Sequence, residues 1–234
     1  MEHVTKMLHS FGMELTKQQR EQLLRYRDGI LQWNDKVNLT AITELEEFEI
    51  KHFVDSLAIV GQAELQGAER IIDVGTGAGF PGIPLAILFA KKRFTLMDSL
   101  GKRIKIISGL AEEIGLCNVE FVHARAEDLA QKKEHRGQYD ICVSRAVAHL
   151  AVLSEYCLPF VREGGFFAPY KTASAEEEIE ESKTALFLLG GKLRRISSFE
   201  ETDTKHTVLW IEKIKKTPAK YPRKAGTPSK EPLK

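Results

Sequence analysis

A run of glycines between an apolar strand and an apolar helix sets the strictest limit on this chain. Arg70–Val74 reads as a short strand. It leads into Asp73-Val74-Gly75-Thr76-Gly77-Ala78-Gly79-Phe80-Pro81-Gly82, and Ile83–Ala90 then reads as helix. Glycines at alternate positions remove the side chains that would keep a ligand away from the backbone. The first turn at the carboxyl edge of an open α/β sheet is where such folds bind nucleosides.

The rest of the chain fits that frame. Phe94–Asp98, Val119–His123, Tyr139–Ser144 and Gly165–Tyr170 read as strands, separated by helices over Lys102–Gly115, Ala126–Ala130 and Leu150–Val161. Ile104, Ile107, Ala111 and Ile114 give the helix over 102–115 one apolar face. Ser174 with Glu177 marks a further helix start, and Lys192–Phe199 and His206–Ile214 read as a closing antiparallel pair. Alternating β and α units predict a Rossmann-like α/β fold, a seven-stranded, mostly parallel sheet with helices on both faces. Before residue 70 no strand alternation occurs. Val4, Met7, Leu8 and Phe11 recur at helix spacing up to Gly12. Thr16 with Gln19 and Thr43 with Glu46 read as capping boxes, the first opening a helix that carries Leu23, Leu24, Ile30 and Leu31. Three parts are expected: a helical extension over 1–65, the sheet domain over 66–214, and a basic Pro-rich tail over 215–234. The tail has no apolar periodicity, so it is expected to be extended and mobile until something binds it.

Composition removes several classes. At 234 residues and 43% hydrophobic, the chain can bury one good-sized core. The apolar run over 82–90 is about half the roughly 18 residues of a membrane span. The opening residues lack a signal peptide's apolar stretch, so a cytosolic protein without membrane contact is expected. The three cysteines, Cys117, Cys142 and Cys157, form no Cys-x-x-Cys pair, and the seven histidines show no His-x-x-x-His spacing. No metal site is expected, and the cysteines read as buried structural thiols. The net charge of +1 hides an asymmetry. Eight lysines and arginines from Lys213 to Lys234 against Glu231 leave that segment at +7 and the remainder at −6. A polyanionic partner reached by the tail is the expectation.

Two cofactors compete for the loop. Gly77, Gly79 and Gly82 satisfy G-x-G-x-x-G, which reads as an NAD-dependent oxidoreductase. Counted from the first glycine, Asp73-x-Gly75-x-Gly77-x-Gly79 resembles motif I of S-adenosylmethionine methyltransferases, the more specific pattern. Asp98 closes the second strand 23 residues after Gly75, where a carboxylate can accept both ribose hydroxyls of either cofactor. After the third strand come Arg125-Ala126-Glu127-Asp128, whose acidic residues either touch an adenine or cap a helix.

The fourth strand ends in Ser144-Arg145-Ala146. Methylating an exocyclic amine requires loss of a proton, and the Asn/Asp-Pro-Pro-aromatic element of such enzymes is absent here. Leu116, Ile141 and Tyr156 precede the cysteines, so the Pro-Cys or Thr-Cys nucleophile of pyrimidine-carbon methylation is absent too. Guanine N7 has a free lone pair. Its methylation needs no general base, only positioning, desolvation and placed charge, and orientation alone can supply roughly 7–11 kcal/mol. Ribose and small-molecule acceptors stay open, as does a non-catalytic RNA-binding protein with a relic pocket.

Several motifs then converge. Asn38-Leu39-Thr40, His52-Phe53-Val54-Asp55-Ser56-Leu57, Asp73 to Pro84, Asp98-Ser99 with Lys102-Arg103, Ser144-Arg145-Ala146, Lys171 and the tail from Tyr221 to Pro228 together resemble the RsmG/GidB family. These are bacterial guanine-N7 methyltransferases of small-subunit ribosomal RNA. The likeness runs from about residue 15 to 230. It implies a class I methyltransferase fold, S-adenosylmethionine as donor, and one guanine in the decoding-centre loop of 16S RNA as target, with the RNA or the small subunit as partner and the enzyme a monomer. By position, it implies that Gly75, Thr76, Gly77, Gly79, Phe80, Asp98, Ala126 and Glu127 bind the cofactor. Arg145 would face cofactor and target as a positioning residue. Arg125 would hold the methionine carboxylate or an RNA phosphate. Lys171, at the sheet's carboxyl edge, is either an RNA contact or a solvated lysine. Tyr221 with Arg223 and Lys224 offers stacking and phosphate contacts suited to RNA. His52 and Asp55, three apart on a helix, read as a structural pair.

Overall fold

The computed structural model describes residues 1–145, 148–171, 175–199 and 206–233. Ala146 and the helix start at Ser174 lie outside the described residues.

The N-terminal part is helical, as expected: α1 (Glu2–Ser10), α2 (Lys17–Asn34), α3 (Leu45–Phe48), a π-helical stretch (Glu49–Val54), α4 (Asp55–Leu57) and α5 (Ala63–Gly67). Thr16 and Gln19 form the capping box of α2. The second box is not formed. Glu44 caps α3 instead, accepting the Glu47 N–H at 2.7 Å, so the helix starts one residue later than the Thr43–Glu46 spacing predicts. Capping is worth about 1 kcal/mol. The fully buried Leu23 and Ile30 contribute about 1.5–3 kcal/mol each, so burial, not the cap, holds α2 in place. Gly29 permits the close approach: a Cβ there would lie 2.4 Å from Leu110 Cδ2.

The sheet domain runs β1 (Arg70–Val74), α6 (Gly82–Leu88), β2 (Arg93–Asp98), α7 (Gly101–Glu113), β3 (Val119–His123), α8 (Ala126–Leu129), β4 (Tyr139–Arg145), α9 (Leu150–Cys157), β5 (Val161–Lys171), α10 (Ala175–Glu181), α11 (Lys183–Leu189), β6 (Gly191–Phe199) and β7 (His206–Lys213), with α12 (Thr227–Lys230) in the tail. The strand order is β3-β2-β1-β4-β5-β7-β6, with β7 antiparallel to both neighbours and the other pairs parallel. One apolar layer packs α1, α2, the π-helical stretch, α6 and α7 on one face of the sheet; the other packs α9 and α11 on the opposite face.

The helix over 150–161 is shorter than its pattern suggests. It stops at Cys157, tightens into a 3₁₀ turn over Leu158–Phe160, and Val161 already belongs to β5. Pro159 has no N–H with which to continue the α ladder. Cys142 and Cys157 are buried, as expected, but Cys117 is exposed.

The tail departs most from expectation. It folds back on α8 and α9 instead of extending into solvent. Tyr221 is 6% exposed. Arg223 makes a two-pronged ion pair with the fully buried Glu155, at 2.7 Å for the shorter Nη2–Oε2 contact. The Gly226 N–H donates to Glu127 at 2.9 Å. Low hydrophobicity did not leave this segment loose, because two acidic groups on the body take its donors. Lys213, counted with the tail's charge, is itself buried and donates to the Leu158 carbonyl at 2.5 Å.

Candidate active site

The carboxyl ends of β1, β2 and β4 converge on a cavity of about 360 Å³. Its walls are Gly75, Thr76, Gly77, Ala78 and Phe80 from the loop after β1; Asp98, Ser99, Leu100 and Arg103 at the β2–α7 junction; Arg145 at the end of β4; and Leu39 and His52 from the helical extension.

The loop spends its amides internally. Gly75 and Thr76 donate to the Met97 carbonyl at 2.9 and 3.0 Å. Gly79 and Phe80 donate to the Thr76 carbonyl, also at 2.9 and 3.0 Å. Gly77 donates to Asp98 Oδ2 at 3.0 Å. At the start of α6, where a pyrophosphate would need free N–H groups, the Gly82 N–H donates to Asp73 Oδ2 at 2.9 Å. A buried carboxylate thus occupies the anion position, and a second, Asp98, faces the loop. This arrangement repels a dinucleotide phosphate and suits a cationic nucleoside without one. The G-x-G-x-x-G match is therefore not a dinucleotide site here.

Asp73 is fully buried, and burial pushes its pKa up to about 6 against the hydrogen bonds from Thr76 and Gly82. Asp98 Oδ1 accepts the Leu100 N–H at 2.8 Å. With two backbone donors engaged, a carboxylate keeps lone pairs for two ribose hydroxyls. The residues fit S-adenosylmethionine: an acceptor for the ribose, a floor without side chains at Gly77, where a Cβ would meet nothing nearer than 4.0 Å, and an acidic surround for a sulfonium.

The roof is a polar lock on Arg145. Nη1 donates to Asp55 Oδ2 at 2.5 Å and to the Lys51 carbonyl at 2.9 Å; Nη2 lies 3.2 Å from His52 Nδ1. An arginine only donates, so His52 Nδ1 accepts. Nε2 then carries the imidazole proton and donates to Thr40 Oγ1 at 2.8 Å. Burial, aided by Arg145, lowers the His52 pKa to about 3. The ring stacks flat on Phe80, 4.5 Å between centroids and 1° between planes, and the Arg145 guanidinium sits 5.4 Å from the same ring. Both His52 nitrogens are committed and the ring is neutral, so it is not available as a base.

The structure brings Gly75, Thr76, Gly77, Phe80, Asp98 and Arg145 together. Gly79 is elsewhere: a Cβ there would lie 2.3 Å from the Tyr26 hydroxyl, and its φ of +86° requires glycine. Ala126 packs in the core, and the Glu127 carboxylate turns to the tail. Arg125 and Lys224 are exposed away from the cavity walls. Lys171 is neither solvated nor free, since it donates to the Ala148 carbonyl at 2.8 Å and to Glu178 at 2.6 Å. Tyr221 and Arg223 point into the protein, which corrects the expectation of a stacking and phosphate-binding arm. The sequence reading names Leu39, Ala78, Ser99 and Arg103 only as parts of motifs, without a site role, and passes over Leu100. Ser99 and Leu100 directly follow Asp98, and Arg103 sits in the first turn of the helix after it, positions that the strand-to-helix pattern points to.

A sheet in this order, with such a loop and an acidic residue ending β2, defines a Rossmann-like S-adenosylmethionine-dependent methyltransferase. Solved structures share the fold. The O-methyltransferase from Bacillus cereus in complex with SAH is 18% identical with a TM-score of 0.56, over 80% of this chain and 90% of that one. NSun6 from Pyrococcus horikoshii is 16% identical with a TM-score of 0.57, over 75% and 57%. The family GidB, described as rRNA small subunit methyltransferase G, matches residues 19–208. Ribosomal RNA small subunit methyltransferase G of Alkaliphilus metalliredigens is 52% identical over 95% of this chain and 94% of its own length, and that of Clostridium tetani is 50% identical over the same shares. The chain belongs to this family.

Proposed function

We propose that the protein transfers the methyl group of S-adenosylmethionine to N7 of a guanine in the decoding-centre loop of 16S ribosomal RNA. The observation that supports this choice of atom is how the titratable side chains are bonded in the cavity. Its histidine is neutral with both nitrogens engaged, and Asp73 lies beneath the loop, bonded to Thr76 and Gly82. Asp98, the cavity's other carboxylate, is assigned to the ribose, so among the described residues lining the cavity an acceptor that had to lose a proton meets no uncommitted base, whereas N7 needs none. When bound, S-adenosylmethionine supplies the electrophilic methyl. The chain's own part is to hold the ribose at Asp98, to keep the floor open at Gly75, Thr76 and Gly77, and to present Arg145 and the Phe80–His52 stack as a dry wall against which the target lies. Exclusion of water there strengthens every polar contact that orients the reactants.

In this reading the helical extension over 1–65 shapes the target side of the cavity, the sheet domain over 66–214 carries the donor, and the tail over 215–234 braces α8 and α9. Of the residues expected to bind RNA, Arg125 and Lys224 stay exposed, and with Arg103 at the mouth they are cations able to meet RNA phosphate. The enzyme works as a monomer in the cytoplasm. Among the described residues no helix is long and apolar enough to cross a membrane, and no cluster is placed to hold a metal ion. An RNA fragment carrying 7-deazaguanine at the target position tests the chosen atom. Methylation should vanish, while the guanine-containing fragment is modified. Equal modification of both would reject N7.

A further inference from the structure

The glycine loop holds most of its shape through its own hydrogen bonds, but the Ala78 carbonyl takes its bond from another element. Ala78, which lines the cavity, lies between Gly77 (φ +59°) and Gly79 (φ +86°). Glycine populates both signs of φ about equally, so hydrogen bonds and not φ preference must fix the peptides on either side of Ala78; the Gly79 N–H donates to the Thr76 carbonyl at 2.9 Å. A contact from outside adds to these bonds. Tyr26, on α2, supplies one: its hydroxyl donates to the Ala78 carbonyl at 2.9 Å, and its ring meets Phe80 edge-on at 6.1 Å. The side chain is fully buried, and burial pushes the phenol pKa well up, so the hydroxyl keeps its proton and donates. The phenol oxygen occupies the space a Cβ at residue 79 would need.

The neighbouring polar residues of the same helix do something else. Gln19 donates to the carbonyls of Ile87 and Leu88 at 3.2 and 3.3 Å, and Gln22 to that of Ile114 at 2.9 Å. They cap the carboxyl ends of α6 and α7 and touch no part of the cavity.

We infer that Tyr26 is a positioning residue for the methyl donor, and that its hydroxyl sets the Gly77–Gly79 peptides in the conformation that receives the cofactor. The inference rests on the donor assignment made above, and it gives the helical extension a part in donor binding as well as in target binding. Removing the hydroxyl leaves a buried carbonyl unpaired at the cavity floor, a loss that is felt where the donor lies and not where the RNA lies.

The test compares Tyr26→Phe with Gln22→Met in the full chain. S-adenosylhomocysteine affinity is measured by calorimetry, and KM is measured separately for S-adenosylmethionine and ribosomal RNA. Tyr26→Phe should weaken S-adenosylhomocysteine binding and raise the donor KM by roughly five- to tenfold, the size of one buried hydrogen bond, with the RNA KM within about twofold of wild type. Amide exchange over residues 75–80 should quicken. Gln22→Met should lower the melting temperature and leave the donor KM and that exchange unchanged. Unchanged donor affinity in Tyr26→Phe, or an equal loss in Gln22→Met, would reduce Tyr26 to a packing residue. Failure of the wild-type protein to bind S-adenosylhomocysteine would instead overturn the donor assignment itself.

Discussion

Arg145 holds a carboxylate, a backbone carbonyl and an imidazole nitrogen at once, and its worth to the fold follows from burial. Asp55 is 5% exposed. Removing the partner of a buried charge costs about 3–5 kcal/mol. Arg145→Ala should therefore lower the melting temperature by roughly 6–20 °C at this chain length, in addition to any loss of methyl transfer; a melt unchanged by the substitution would contradict the lock. Asp98 should show the complementary pattern. Asp98→Asn leaves an acceptor for Gly77 but loses the charged ribose contact, so calorimetry should record S-adenosylhomocysteine binding weaker by about 1.5–3 kcal/mol. Asp73 predicts a pH effect. Its folded pKa of about 6 lies above the ordinary 3.8, so between roughly pH 4 and 6 the native state binds more protons than the unfolded state. This group's contribution to stability falls as pH rises through that window and is flat above it. Denaturant melts of wild type and Asp73→Asn should show the variant gaining on wild type by up to about 3 kcal/mol across the window. A difference that stays constant with pH would mean that Asp73 is not the raised group.

At the scale of elements, local patterns read well and long-range ones do not. The strand, glycine loop and helix over 70–88 are legible because a short apolar run, a glycine-rich turn and a second apolar run are local properties of the sequence. The partners of Arg145 are not, since Asp55 lies 90 positions away and no spacing rule links them. Their spacing of three pairs His52 with Asp55; in the structure Arg145 contacts both, on a π-helical stretch and the helical turn that follows, a local widening that apolar periodicity does not report. The tail's docking onto the body is hidden from its sequence for the same reason. Its basic, Pro-rich composition describes a solvated segment, but Glu155, 68 positions earlier, is a buried acid that needs a counter-charge. Arg223→Ala should consequently cost stability, about 3 kcal/mol as a melting shift, before it costs RNA affinity. An unchanged melt with weakened RNA binding would restore the tail as an RNA arm.

For the whole molecule, the strand order and the two apolar layers place a nucleoside cavity at one edge of the sheet, with the helical extension as its second wall. Cofactor choice lay partly beyond the sequence, because G-x-G-x-x-G and the longer motif overlap in the same glycines. Geometry separates them, since the amides a pyrophosphate needs are already bonded. S-adenosylhomocysteine at about a hundredfold its Kd should therefore raise the melting temperature by about 5–10 °C, and NAD should not move it. The most direct measurement incubates the enzyme and S-adenosylmethionine carrying a deuterated methyl with small subunits or 16S RNA from cells lacking the gene, and digests the RNA for nucleoside mass spectrometry. The account predicts trideuterated 7-methylguanosine as the single labelled nucleoside. Label in any other nucleoside, or none at all, would contradict it.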